Sequence, residues 1–168
     1  DAHIKVPITV MRFGAFSSDG DKSSLGMELI GTESNWECMF RHKSVDELID
    51  NAAKYAVDLL HAPQAHGGKQ KVILAPAMVG LLSHEAIGHT VEADFVNSGS
   101  VAAGKIGEMV ASPMVTMCDS GHSEFDPGAT GPIPVDDEGV LPERTAIITE
   151  GRLTNYGHIR ESAAQPNV

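Results

Sequence analysis

Two histidines and a glutamate stand close together in Ser83-His84-Glu85-Ala86-Ile87-Gly88-His89-Thr90, just after the apolar run Val79-Gly80-Leu81-Leu82. These are the residue types of a divalent-metal site: imidazole nitrogens as ligands, and a carboxylate beside them to move a proton. In the better known metalloprotease pattern, H-E-x-x-H, the histidines are four apart and share one face of a helix. Here the arrangement is H-E-x-x-x-H, and the spacing is five. At about 3.6 residues per turn, five steps set the side chains roughly 140° apart, too wide for one small ion. A π-bulge, a deformation helices often adopt at functional sites, returns both rings to a common side. Gly88 has no Cβ to resist it and is the expected place for it. The chemistry then reads as His84 and His89 holding a divalent metal while Glu85 takes a proton from the attacking water.

The plain alternative is a pair of surface or helix-packing histidines, since short patterns also arise by chance. The flanking elements weigh against it. Val72-Ile73-Leu74 reads as a short buried strand running to Ala75, and Pro76 closes it and opens a helix. An apolar helix from about Pro76 to Phe95 is expected to carry His84 and Glu85 into the interior. A glutamate there is costly without a metal or hydrogen-bond partner. Glu92 and Asp94 follow His89 by three and five residues, and either could accept the free N–H of a metal-bound histidine. Solvated carboxylates near a helix end are the simpler reading of both.

Upstream, Ile4, Val6, Ile8 and Val10 alternate with Lys5, Pro7, Thr9 and Met11, which predicts a half-buried strand with Pro7 at an edge or bulge. Asp19-Gly20-Asp21 predicts a turn. Leu25 to Ile30 and Trp36 to Phe40 are expected as two further strands of an antiparallel meander, with Trp36 in the core. Ser44-Val45-Asp46-Glu47 is a capping box. Val45, Leu48, Ile49, Ala52, Ala56, Leu59 and Leu60 follow at helical spacing and predict one buried face, ending before Pro63. His61 and His66 lie in or beside the loop that follows and read as exposed.

Asn97 to Gly107 is rich in small residues and predicts a loop that could serve as a lid. Val115-Thr116-Met117 predicts a strand. Cys118 and His122 form a Cys-x-x-x-His pair that could in principle complete a metal site with His84 and His89. Asp119 to Pro134 predicts a long loop. Asp136-Asp137-Glu138-Gly139 predicts a turn with solvated charges, because a calcium loop needs more regularly spaced oxygens. Thr145–Thr149, Glu150-Gly151 and Leu153–Tyr156 predict a β-hairpin. The expected fold class is α+β: an antiparallel or mixed sheet, one amphipathic helix and the helix bearing the metal motif, in a single domain over residues 1–168.

A net charge of −11 argues against nonspecific binding to nucleic acid or anionic membrane. No apolar run approaches the length of a membrane span. No secretory signal follows Asp1, so the two cysteines, Cys38 and Cys118, are expected as free thiols in a reducing cytoplasm. The missing initiator Met suits a fragment or trimmed chain.

Several separate blocks, in order, resemble the TldD/PmbA metallopeptidases. They run from Lys71-Val72-Ile73-Leu74-Ala75-Pro76 through Leu82-Ser83-His84-Glu85-Ala86-Ile87-Gly88-His89 to Glu92-Ala93-Asp94-Phe95. They continue in Gly107-Glu108-Met109-Val110-Ala111-Ser112-Pro113, Pro134-Val135-Asp136-Asp137-Glu138-Gly139 and Arg160-Glu161-Ser162-Ala163-Ala164. The H-E-x-x-x-H segment makes the match closer to TldD than to PmbA. The resemblance implies a cytoplasmic peptidase that cuts extended peptides, with His84 and His89 as metal ligands and Glu85 as general base. It also implies a third ligand, a cysteine well downstream of the matching blocks, and a homodimer or a related subunit as partner. This chain resembles about the middle third of such a protein, within its N-terminal metallopeptidase region, and stops at Val168 before that ligand. Cys118 falls in a block that matches elsewhere. Zinc is the expected ion for His and Cys donors, with iron the alternative. Little peptidase activity is expected of the chain as it stands. The rival reading is a non-catalytic binding or scaffold module that pairs with a related subunit.

Overall fold

The computed structural model describes residues 3–122, 124–126 and 128–165, an α+β chain in two compact units. One unit comprises Asp1–Lys69 with Ser123–Pro132, the other Gln70–His122 with Ile133–Val168.

In the first unit, β1 (Thr9–Asp19) and β2 (Lys22–Thr32) form an antiparallel hairpin, with Asp19 paired to Lys22 across the two-residue loop Gly20-Asp21. Gly20 takes φ 57°, the left-handed conformation that glycine adopts at no steric cost. The strand expected over Ile4–Met11 begins only at Thr9, and its buried side is the opposite one. Met11, Phe13 and Ala15 face inward, while Val10 and Phe16 are exposed. The amphipathic helix α2 (Val45–His61) packs on this hairpin, so a two-stranded ribbon has one covered face and one bare apolar face. Ser44 caps α2, with the reciprocal Glu47 contact of the capping box in place. Its buried stripe is narrower than the sequence predicts: Leu48, Ala52 and Ala56 are buried, but Val45, Ile49 and Leu59 are exposed. Small residues line the contact because the strand comes very close. A Cβ on Gly26 would lie 2.0 Å from the Ala52 carbonyl oxygen.

Trp36 to Phe40 is not a third strand. Asn35 accepts from the Cys38 N–H and caps a single helical turn, α1 (Trp36–Met39), so the meander ends at two strands. Met39 is the buried residue of that turn; Trp36 lies exposed with its ring edge-on to Phe40. Buried Thr32 donates through Oγ1 to the Gly128 carbonyl at 2.6 Å. Arg41 holds Asp126 through Nε at 3.0 Å and Nη2 at 2.7 Å, and His42 Nε2 meets the same carboxylate at 2.8 Å.

In the second unit, residues 70–75 form no strand, and Ile73 is fully exposed. An apolar run without a pairing partner has no reason to extend into a sheet. Helix α3 (Pro76–Ser83) opens on Pro76 as expected. It leads into a π-helical turn (His84–Gly88), a 3₁₀ turn (His89–Val91) and, after a break at Glu92, α4 (Ala93–Asn97). Three antiparallel strands follow in the order β3 (Met117–Ser120), β4 (Arg144–Thr149), β5 (Arg152–Leu153). The β4–β5 loop is Glu150-Gly151, both at positive φ, which matches the twist of a tight hairpin. A short helix, α5 (Arg160–Ala163), ends the described chain.

The core of this unit joins Val91, Val96, Ala102, Ile147, Ile148, Leu153 and Tyr156, with Ile87 and Met117 packed against it. Ala102 lies in the small-residue loop expected as a possible lid. That loop is tied down: Ser100 Oγ donates to the Thr90 carbonyl at 2.6 Å, and Tyr156 Oη donates to the Ala102 carbonyl at 2.6 Å. Among the described residues no helix is long and apolar enough to cross a membrane.

Candidate metal centre

The motif deforms as its spacing requires. At the end of the π-helical turn the backbone N–H of His89 donates to the carbonyl of His84, a five-residue reach in place of the four of an α-helix. The wider turn brings the two rings to a centroid separation of 4.6 Å, edge to face at 68°. Ile87, inside the same turn, points the other way and packs on the core. One residue anchors the turn while its neighbours present their polar groups outward.

Ligand atoms of His84, Glu85 and His89 all lie within 4.8 Å of one another, and among the described residues this is the one such group of His, Cys, Asp or Glu donors. Two imidazoles and an adjoining carboxylate suit a divalent ion of the zinc or iron type. Glu85 Oε2 lies 3.8 Å from His89 Nε2, so the acid sits beside that nitrogen of the second ring. The other nitrogen of that ring, Nδ1, meets Glu92 Oε1 at 2.9 Å. Phe95 stands edge-on to the same ring at 6.3 Å.

The burial expected for the motif is not found. No residue of α3 is buried, His84 is exposed, and the side chains of His89 and Glu85 are 45% and 61% exposed. The apolar composition of α3 predicted an interior helix; in these residues its apolar side chains are uncovered. Gly88 takes ordinary helical angles, and a Cβ there would meet its nearest neighbour, the Ser83 carbonyl, at 3.6 Å. The turn therefore uses the hydrogen bond rather than the freedom of glycine.

Of the two carboxylates weighed as partners for a histidine, the structure selects Glu92. Asp94 Oδ1 instead accepts the Phe95 N–H at 2.9 Å. Cys118 and His122 do not join the group. Cys118 lies in β3, where its sulfur accepts from Arg144, and the His122 backbone N–H donates to Ser120 Oγ. Both cysteines are free thiols. The acidic cluster is a turn, with Asp136 Oδ1 accepting from the Glu138 and Val140 N–H groups. Sequence reasoning missed Gly157, whose backbone pairs with Glu92 from far along the chain, and no local pattern signals such a pairing. Next to Glu92 a cavity of about 500 Å³ opens between α4 and residues 157–165.

Residues 67–168 match the family model described as the PmbA/TldA metallopeptidase C-terminal domain. A metalloprotease of Methanocaldococcus jannaschii is 44% identical over 115 residues, which is 68% of this chain and 25% of the relative. A metalloprotease of Synechocystis is 31% identical over 157 residues, 92% of this chain and 33% of the relative. A Saccharolobus solfataricus relative named a zinc metalloprotease TldD homolog is 28% identical over 138 residues, 82% of this chain and 30% of that protein. The chain thus spans about a quarter to a third of the curated relatives it matches. The fold is shared with TldE of Thermococcus kodakarensis at TM-score 0.59 and 18% identity, over 89% of this chain and 32% of that one. A Thermotoga maritima protein described as a candidate modulator of a DNA gyrase shares it at TM-score 0.71 and 20% identity, over 94% and 36%.

Proposed function

The chain belongs to the PmbA/TldD metallopeptidase family, and from that premise we propose that it carries the metal-binding segment of a cytoplasmic peptidase acting on extended peptides. His84 and His89 hold a divalent ion, zinc with iron as the alternative, and Glu85 is the general base. A third protein ligand, a cysteine, comes from polypeptide outside these residues. The observation that carries the reading is the π-helical turn: it sets two histidines five residues apart side by side, with a glutamate between them in sequence and next to them in space.

When bound, such an ion supplies Lewis acidity that polarises a peptide carbonyl. The chain's own groups do the rest. His84 and His89 offer ring nitrogens from one side of the turn. Glu85 takes the proton of the attacking water and passes it to the departing amine, a role that contributes about 10²–10⁴-fold to rate. The exposure of this face leaves room for a peptide lying across it. A homodimer or a related family subunit is the partner, and neither nucleic acid nor membrane is engaged.

A second reading, a non-catalytic module that pairs with a related subunit, is favoured by the bare apolar face of β1 and β2, where Val10, Phe16, Leu25, Met27 and Leu29 are exposed. Glu85 separates the two, because a structural pair of histidines needs no acid beside it. In the longer protein that contains these residues, Glu85→Gln is expected to lower hydrolysis at least about 100-fold with the metal content unchanged. Full turnover by that variant would remove the general-base assignment.

A further inference from the structure

A neutral imidazole carries one proton, and its place decides which nitrogen can bind a metal. His89 Nδ1 lies 2.9 Å from Glu92 Oε1. An ionised carboxylate only accepts hydrogen bonds, so the contact requires the proton on Nδ1. Nε2, the nitrogen on the Glu85 side, is then left with its lone pair. We propose that Glu92 is the positioning residue of this centre: it fixes the tautomer and ring orientation of His89 so that Nε2 faces the metal. The proposal rests on the metal reading above and adds a residue to it.

The backbone supports the assignment. Glu92 is a single extended residue, φ −65° and ψ 132°, between a 3₁₀ turn and α4. A continuous helix would have no reason to stop there. It stops because Gly157 is paired to this point as a parallel bridge: the Gly157 N–H donates to the Val91 carbonyl at 2.8 Å, and the Ala93 N–H donates to the Gly157 carbonyl at 2.9 Å. Val91 on one side and Ala93 on the other are both buried. The carboxylate that meets His89 is therefore held from below by two core residues and a backbone clamp. Asp94, two residues on, has no such contact with either histidine, and its carboxylate accepts a backbone N–H in its own turn.

The plain alternative is a surface ion pair, since the two side chains are 45% and 46% exposed, and such pairs contribute little. The two accounts differ in the histidine's tautomer and in metal affinity. In the 168-residue chain, free of metal, long-range ¹H–¹⁵N correlation spectra at a pH where His89 is neutral report which nitrogen carries the proton. The expected result is Nδ1–H in the wild type and in Glu92→Gln, whose amide oxygen can still accept. Glu92→Ala should shift the population towards Nε2–H, the form free imidazoles favour. In the longer protein that contains these residues, zinc affinity should fall about 10–100-fold in Glu92→Ala and stay within a few-fold in Glu92→Gln. Asp94→Ala should change neither. If Glu92→Ala fails to fold, Glu92→Leu carries the same expectation.

Nε2–H in the wild type would overturn the proposal, as would an unchanged tautomer and zinc affinity in Glu92→Ala. A longer protein that binds no zinc, beside a 168-residue chain that shows the tautomer switch, would remove the metal reading and leave the orienting of His89 by Glu92 standing.

Discussion

The backbone N–H of His89 donates to the carbonyl of His84, and this one widened turn is why their rings lie 4.6 Å apart despite a spacing of five. The deformation does not depend on glycine. Gly88→Ala adds a Cβ whose nearest neighbour would be 3.6 Å away, an ordinary contact. Stability should change by less than about 1 kcal/mol, the usual Gly-to-Ala difference in a helix, with zinc binding retained. Thermal denaturation and a zinc titration check both.

Gly26 behaves in the opposite way. Its missing Cβ is what lets β2 approach α2, where the Ala52 oxygen and the Ala56 nitrogen would stand 2.0 and 2.4 Å from an added carbon. Gly26→Ala should destabilise the unit by about 3 kcal/mol or more, the upper range of overpacking costs. Gly14→Ala, whose Cβ would meet only Leu25 Cδ1 at 3.8 Å, serves as the tolerated control in urea denaturation.

Tyr156 is buried, donates to the Ala102 carbonyl at 2.6 Å and accepts from the Lys105 N–H at 3.3 Å. Tyr156→Phe removes both hydrogen bonds, while the Lys105 N–H still donates to the Ala102 carbonyl at 3.1 Å, so neither backbone group is stranded. A loss of about 0.5–1.5 kcal/mol is expected, the net contribution of an ordinary hydrogen bond. Chemical denaturation of the two chains measures it directly.

Asp126 gives the first unit an acid-sensitive fastening. Hydrogen bonds from Arg41 first and His42 second hold its carboxyl well below the ordinary aspartate value of 3.8. A depressed folded-state pKa means the stabilisation is fully present above the unfolded value and is lost as pH falls below it. Unfolding midpoints followed from pH 5 down to pH 2 should drop more steeply in the wild type than in Asp126→Asn, which lacks the titrating group. Parallel curves would remove the fastening from the account.

What the sequence made legible was local. The capping box at Ser44, the Asp19–Lys22 turn and the hairpin around Glu150-Gly151 each depend on residues a few positions apart. The π-helical turn was legible for a different reason: two histidines five apart come to a common side of a helix where its turn widens. Trp36 to Phe40 misled because apolar residues at alternate positions over so short a run fit a strand as well as one helical turn. The Asn35 cap decided the matter. Val72-Ile73-Leu74 misled because apolar character implies burial only where something covers it. Helix α3 failed the same test, which is why His84 and Glu85 lie at the surface of these residues. The fixing of Glu92 by Gly157 was beyond reach, since it joins two points that only the folded chain brings together.

The central claim, that His84 and His89 form one metal site, is tested most directly by zinc stoichiometry. The longer protein that contains these residues is prepared without chelators or a histidine tag and titrated with zinc against a competing chromophoric chelator. One zinc per chain in the wild type and in Glu85→Gln, lost in both His84→Ala and His89→Ala, is the predicted result. Equal zinc binding by the wild type and the two alanine variants, or none by any of them, would contradict the claim.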